Sequence, residues 1–132
     1  MHDGYVGVPV HLGLITGDQL IAVADLGYEA RLTRQQNFVL VTDDDLAAPL
    51  AELGLPLDAG TLRGEAVACT GEPHCNFSVT ETKSRMDGLV QLLEDRFGRD
   101  TDGLRLHLDG CPHACAQHWV GDIGFQGTTV RD

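Results

Sequence analysis

Four cysteines in two closely spaced pairs constrain the fold of this 132-residue chain more than any other feature. Cys69 and Cys75 enclose a loop rich in turn-forming residues, and Cys111 and Cys115 are separated by three residues. If Pro112 takes the first position of a helix, where its missing N–H is not needed, Cys111 and Cys115 share one helical face. We therefore expect four thiolates to converge on one object.

The spacing of the cysteines leaves two main interpretations of that object. Their tight pairing argues against four unrelated thiols, and the absence of an apolar leader argues against the disulfide framework of a small secreted chain. Structural zinc sites mostly use cysteines separated by two to four residues, so the longer spacing between Cys69 and Cys75 is loose for zinc. Iron–sulfur clusters accept uneven spacings. Spacing alone favours neither zinc nor a cluster.

Short motifs around the cysteines carry a resemblance that favours the cluster. They are Ala68-Cys69-Thr70-Gly71, Glu81-Thr82-Lys83, Gly110-Cys111-Pro112, Cys115-Ala116 and Asp122-Ile123-Gly124. Together with Cys75 they resemble the sirohaem-containing nitrite and sulfite reductases over nearly the whole chain. The resemblance implies a [4Fe-4S] cluster held by Cys69, Cys75, Cys111 and Cys115. It also implies a catalytic role for Cys115, as the thiolate that bridges the cluster to the sirohaem iron.

The polar segment Thr33–Asn37 has two interpretations. Its composition alone favours a solvated turn between two apolar arms. The resemblance instead implies that Thr33, Arg34, Gln36 and Asn37 line the sirohaem, whose carboxylates Arg34 and its neighbours would meet through charge-assisted hydrogen bonds.

The resemblance implies an oxidoreductase that reduces nitrite to ammonia or sulfite to sulfide, one electron at a time. Its cofactors would be the [4Fe-4S] cluster and sirohaem, and its electron donor ferredoxin or a reductase subunit. The Cys-Thr-Gly and Glu-Thr-Lys motifs slightly favour nitrite. The unpaired cysteines suit a reducing compartment, so we expect a cytoplasmic protein. No run of residues is apolar and long enough to span a membrane.

Two departures from the family bear on the expected activity. The full enzymes contain two repeats, and the basic residues that bind substrate come largely from the first, whereas this chain resembles the second and stops soon after Gly124. Its net charge of −11 disfavours nucleic acid as a partner and suits an anion-binding pocket poorly. His113 also stands where the family commonly has Asn. We therefore expect a fragment or half-size form that needs the missing first repeat or a second copy for turnover.

Two other functions remain open from the sequence. One is a non-catalytic iron–sulfur electron-transfer module that lacks sirohaem. The other is a zinc-stabilised structural domain that uses the same thiolates.

The predicted fold is α+β. Residues 1–62 are expected to form a ferredoxin-like half domain with helices on a mostly antiparallel sheet, and residues 63–132 a partial cluster-binding half. In the first half, the predicted elements are an edge strand at Val8–Leu12, a capping box at Thr16 and Gln19, and a strand pair over Glu29–Val41 whose end, Phe38–Val41, is fully buried. A helix is expected after Thr42, and Pro49 leaves two alternatives: the helix begins near Pro49 or is kinked there.

In the second half, a capping box at Ser78 and Glu81 is expected before a helix that ends at Gly98. The core-facing residues of this helix, at helical spacing, are Met86, Leu89, Val90, Leu93 and Phe97. A half-buried strand at Leu104–Leu108 and a strand at Asp122–Phe125 follow.

Overall fold

A computed structural model describes residues 4–58 and 60–130, with Thr61 described by its backbone only. The chain divides into two compact units, Met1–Ala59 and Gly60–Asp132. The first contains an antiparallel sheet and the second a parallel sheet, each accompanied by helices. The predicted α+β class is confirmed, although the sequence did not indicate that the second sheet is parallel. Within the described residues, no helix has the length and apolar character needed to cross a membrane.

The sheet of the first unit has three antiparallel strands. They are β1 (Tyr5–Val8), β2 (Glu29–Leu32) and β3 (Phe38–Val41), and β3 lies between the other two. The predicted strand pair over Glu29–Val41 is therefore present. Phe38 and Leu40 are buried, whereas Val39 and Val41 on the opposite face are only half-buried, so the prediction that this whole segment is buried was wrong. The alternation arises because successive side chains point to opposite faces of a strand.

The edge strand predicted at Val8–Leu12 lies earlier in the chain, as β1. Pairing stops at Val8, one residue before Pro9, which has no N–H to offer a neighbouring strand. Residues His11–Gly13 form a short 3₁₀ turn instead. β1 is nevertheless an edge strand, because it pairs with β3 alone.

Two helices complete the first unit. Helix α1 (Gly17–Asp25) begins with the predicted capping box, in which the Thr16 hydroxyl accepts from Gln19 N at 3.1 Å and the Gln19 side chain accepts from Thr16 N at 2.9 Å. Helix α2 (Ala47–Glu52) starts just before Pro49. Pro49 thus lies in the first turn, where its missing N–H breaks no helical hydrogen bond.

The second unit is built on a short parallel sheet. Its strands are β4 (Val67–Ala68), β5 (Leu106–Asp109) and β6 (Ile123–Gln126), with β5 in the centre. Helix α3 (Thr61–Glu65) precedes β4, and helix α4 (Lys83–Phe97) connects β4 to β5, followed by a 3₁₀ turn at Gly98–Thr101. Because β5 is central it is mostly buried, rather than half-buried as its alternating pattern predicted.

The start of α4 differs from the prediction, and its end agrees. The Ser78 hydroxyl donates to Thr80 O instead of capping a helix, and the helix begins at Lys83 after Thr82. The capping box at Ser78 and Glu81 was therefore wrong. Gly98 ends the helix as predicted, and Met86 and Val90 form its buried face, but Phe97 is exposed rather than part of the core.

Candidate functional site

The first cysteine of each pair lies at the same edge of the parallel sheet. Cys69 directly follows β4, and Cys111 follows β5 after Gly110. Adjacent parallel strands end at a common edge, and two hydrogen bonds fix this one: Cys69 N donates to Leu108 O at 3.0 Å, and Gly110 N donates to the Cys69 sulfur at 3.2 Å. The fold thus brings the two cysteine motifs together although about forty residues separate them.

Hydrogen bonds return the Cys75 loop to this edge. Cys75 N donates to Gly71 O at 3.0 Å, which closes the loop after Cys69. Val79 N then donates to Gly110 O at 2.9 Å, next to Cys111. A cleft of about 480 Å³ opens beside the loop. It is lined by Glu72, Pro73, Cys75, Asn76, Ser78 and Glu81.

The segment between Cys111 and Cys115 is a series of turns, so the predicted helix opened by Pro112 was wrong. Ala114 and Gln117 have positive φ angles of 53° and 56°. A residue in this left-handed region cannot continue a right-handed helix, and each of the two ends a turn closed by its own N–H: Ala114 N donates to Cys111 O and Gln117 N to Ala114 O. Cys111 is buried by the turns, with 8% of its surface exposed, whereas Cys115 is exposed.

The Glu81-Thr82-Lys83 motif ties helix α4 to the same edge. The Thr82 side chain is fully buried and its hydroxyl donates to Cys69 O at 2.6 Å. The Lys83 ammonium donates to Ala68 O at 2.7 Å. Burial lowers the pKa of Lys83, and the nearby Cys69 thiolate opposes that shift.

Two glycines of the motifs allow close packing here. A Cβ atom on Gly71 would lie 2.3 Å from the Thr82 hydroxyl, and one on Gly110 would lie 1.8 Å from the Ser78 hydroxyl. Both glycines are therefore required by packing. The family resemblance singled out these motifs but did not indicate that Thr82 is buried. The position of Thr82 just before α4 was the one feature of the sequence that pointed to a structural role.

The groups around Cys69 suit a thiolate ligand of an iron–sulfur cluster. All four cysteines are free thiols. A backbone N–H already points at the Cys69 sulfur, and an ammonium group lies close to it. N–H donors and positive charge of this kind stabilise thiolates and tune clusters. Within the part of the chain that the structure describes, no three His, Cys, Asp or Glu side chains are grouped closely enough to hold a single metal ion.

The four residues predicted to line sirohaem lie in the first unit, in the turn between β2 and β3. Thr33 N donates to Asn37 O at 2.9 Å, and Asn37 N to the Thr33 hydroxyl at 3.3 Å, which closes the hairpin. The Asn37 side chain accepts from Val10 N at 2.8 Å. Gln36 has a positive φ of 62°, and Arg34 is exposed at the tip.

Known proteins similar to this chain were found among both sequences and structures. The chain is 38% identical to a ferredoxin–nitrite reductase of Synechococcus elongatus, over 96% of this chain and 27% of that protein. It is 39% identical to a ferredoxin sulfite reductase of Mycolicibacterium paratuberculosis, over 96% of this chain and 25% of that one. The chain belongs to the nitrite and sulfite reductase family. It spans about a quarter of the length of these relatives.

Solved structures agree with this assignment. The structure of the NirA protein of Mycobacterium tuberculosis matches 97% of this chain and 26% of its own with a TM-score of 0.83 and 35% identity. Dissimilatory sulfite reductase I matches 85% of this chain with a TM-score of 0.63 at 21% identity, which supports the fold alone. No family model matches the chain.

Proposed function

We propose that this chain is the cluster- and sirohaem-binding part of a reductase that converts nitrite to ammonia or sulfite to sulfide. The common sheet edge carrying Cys69 and Cys111 is the observation that supports this most directly, because it assembles the two cysteine motifs in a chain whose relatives are named ferredoxin-dependent reductases. A cluster bound there supplies one-electron transfer.

In this proposal Cys69, Cys75, Cys111 and Cys115 would hold the cluster, and Cys115 would also be the ligand shared with the sirohaem iron. Cys115 is exposed whereas Cys111 is buried. This exposure supports the bridging role, because a thiolate shared by two cofactors must be accessible to the second one. The backbone N–H of Gly110 and the Lys83 ammonium stabilise the Cys69 thiolate.

Thr33, Arg34, Gln36 and Asn37 form the proposed sirohaem-lining turn. The exposed Arg34 guanidinium is available to pair with a carboxylate of the macrocycle, and guanidinium–carboxylate pairs are among the strong charge-assisted hydrogen bonds. The hydrogen bonds between Thr33 and Asn37 close the hairpin. The Asn37 side chain also accepts from Val10 N, which fixes the end of the turn.

The proposed donor is ferredoxin or a reductase subunit in the cytoplasm, and the substrate is nitrite or sulfite, since relatives are named for both. Residues 1–62 act as the ferredoxin-like half domain and residues 63–132 as the cluster-binding half. The chain has a net charge of −11 and spans about a quarter of the relatives. We therefore expect cofactor binding without substrate turnover unless a first repeat or a second copy supplies basic residues.

Replacing two of the cysteines, one at a time, separates the proposed roles. Cys115→Ser is expected to abolish the coupling between haem and cluster, and Cys69→Ser to lower the iron and acid-labile sulfide content. His113→Asn, which restores the common family residue, is the control and is expected to keep both cofactors. Visible and electron paramagnetic resonance spectra of anaerobically purified protein report the coupling. A normally coupled haem–cluster spectrum in Cys115→Ser would rule out the bridging role.

A further inference from the structure

Two polar side chains of β5 reach the loop that carries Cys115. His107 and Asp109 are two residues apart on the strand and so share one face. Both are buried, and Asp109 has only 1% of its surface exposed. A carboxylate this deeply buried is rare unless donors surround it.

Asp109 accepts three hydrogen bonds from the loop. One carboxylate oxygen accepts from Ala116 N at 2.6 Å, and the other accepts from His118 N at 3.1 Å and from His118 Nδ1 at 2.8 Å. Two of the donors are therefore backbone groups that follow Cys115 by one and three residues. The imidazole bond requires a hydrogen on Nδ1 of His118, because a carboxylate is an acceptor only.

His107 holds the same backbone from its carbonyl side. Its Nδ1 lies 2.7 Å from Ala116 O and 3.1 Å from Gln117 O. Both partners are carbonyls, so this nitrogen is the donor. Together the two side chains of β5 bind both the N–H and the C=O of Ala116, the residue next to Cys115, between the two residues with positive φ.

We propose that Asp109, assisted by His107, is a positioning residue that fixes the 111–118 loop so that Cys115 faces outward as a ligand. The ligand part of this inference rests on the proposed function, whereas the loop part does not. By accepting from the Ala116 and His118 amides, Asp109 also keeps these donors away from the Cys115 sulfur. N–H donors to cluster sulfurs raise the reduction potential of a cluster. Because Asp109 binds these donors itself, it keeps the potential of the bound cluster low.

The test compares Asp109→Asn with Asp122→Asn in the full chain. An amide has one acceptor oxygen, so in either orientation its NH₂ group faces a loop N–H of Ala116 or His118. Asp122 is the matched control, because its carboxylate also accepts from a backbone N–H, that of Arg105 at 2.9 Å, but is not part of the loop.

Hydrogen–deuterium exchange of a peptide spanning residues 111–118 measures directly how often the backbone hydrogen bonds of the loop open. Leaving a buried donor unpaired is expected to accelerate this exchange about tenfold or more in Asp109→Asn, and less than about twofold in Asp122→Asn. Exchange of α4 is expected to be unchanged in both. Exchange in the 111–118 loop that is unchanged in Asp109→Asn, or accelerated equally in α4, would overturn the positioning role.

The midpoint potential tests the ligand part, because Asp109→Asn frees the Ala116 and His118 amides as well as removing a carboxylate charge, whereas Asp122→Asn removes a carboxylate charge without freeing these amides. The potential of the bound cluster is expected to rise in Asp109→Asn and to stay constant in Asp122→Asn. A loosened loop with an unchanged or lower potential would overturn the ligand part. Wild-type protein that contains neither iron nor sulfide would instead contradict the proposed function, and the exchange measurement would still decide whether Asp109 fixes the loop.

Discussion

Gly71 provides a sharp test of how the cysteine edge is packed. It has a φ of +67°, and an added Cβ would lie 2.3 Å from the Thr82 hydroxyl and 2.7 Å from Thr82 N. Thr82 cannot move away easily, because its hydroxyl is bonded to Cys69 O and its backbone begins α4. A left-handed residue with a Cβ costs about 1–2 kcal/mol and overpacking about 1–3 kcal/mol. Gly71→Ala should therefore lower the free energy of unfolding of the second unit by about 2–5 kcal/mol.

Gly88→Ala is the matched control. Gly88 lies inside α4, and an added Cβ there meets nothing within 4 Å, so this change should stabilise the helix by about 0.5–1 kcal/mol. Urea unfolding followed by helix ellipticity measures both variants, because α4 is the longest helix in the described residues. A Gly71→Ala variant as stable as the wild type, or a change of the same sign in both variants, would refute the packing argument.

Two further predictions follow from individual hydrogen bonds. Arg105 lowers the pKa of Asp122 from 3.8 to about 2. The pair therefore stabilises the folded chain at pH values above 3.8, the pKa of the unfolded state, and this stabilisation is lost as the pH falls towards about 2. A carboxyl-carbon NMR titration should show this low value, and Arg105→Gln should return it towards 3.8; an unchanged pKa in that variant would contradict the cause. Asn37→Ala removes the acceptor of the buried Val10 N–H and should cost about 1–3 kcal/mol in the first unit, whereas Asn37→Asp keeps the acceptor and should cost less. Faster amide exchange at Val10 in the alanine variant alone would support this, and equal exchange in both would contradict it.

The sequence predicted the elements whose signals are local. The Thr16 and Gln19 capping box, the apolar spacing through Met86 and Val90, and the helix-ending Gly98 all depend on residues close together in the chain. The proline at position 49 left two alternatives, and the structure places it in the first turn of α2. Such features follow from short-range rules and need no knowledge of the tertiary fold.

Features that depend on distant contacts were not predictable in the same way. A helix from Pro112 was a reasonable expectation, but the backbone after Cys111 is bound instead by Asp109 and His107 of β5, which favours turns with Ala114 in the left-handed region. Ser78 likewise fits a capping-box pattern, but the next residue, Val79, donates its N–H to Gly110 O of the β5 end, and the Ser78 hydroxyl donates to Thr80 O. In both cases hydrogen bonds formed by the folded chain outweigh a helix signal read from the local sequence.

The sequence indicated a set of candidate site residues but not their geometry. The cysteine motifs and their family resemblance were evident from the sequence, and the relatives confirm the family. The shared edge of β4 and β5 depends on parallel pairing between segments about forty residues apart, which no local pattern specifies.

The central claim is that the four thiolates hold a redox cluster beside sirohaem. Iron, zinc and acid-labile sulfide content, with a visible spectrum of anaerobically purified protein, tests it most directly. We expect about five irons and four sulfides per chain, because sirohaem adds one iron to the four of the cluster, together with haem bands. Iron and sulfide without haem bands would contradict the sirohaem part and indicate an electron-transfer module. Zinc without sulfide would contradict the redox function as a whole.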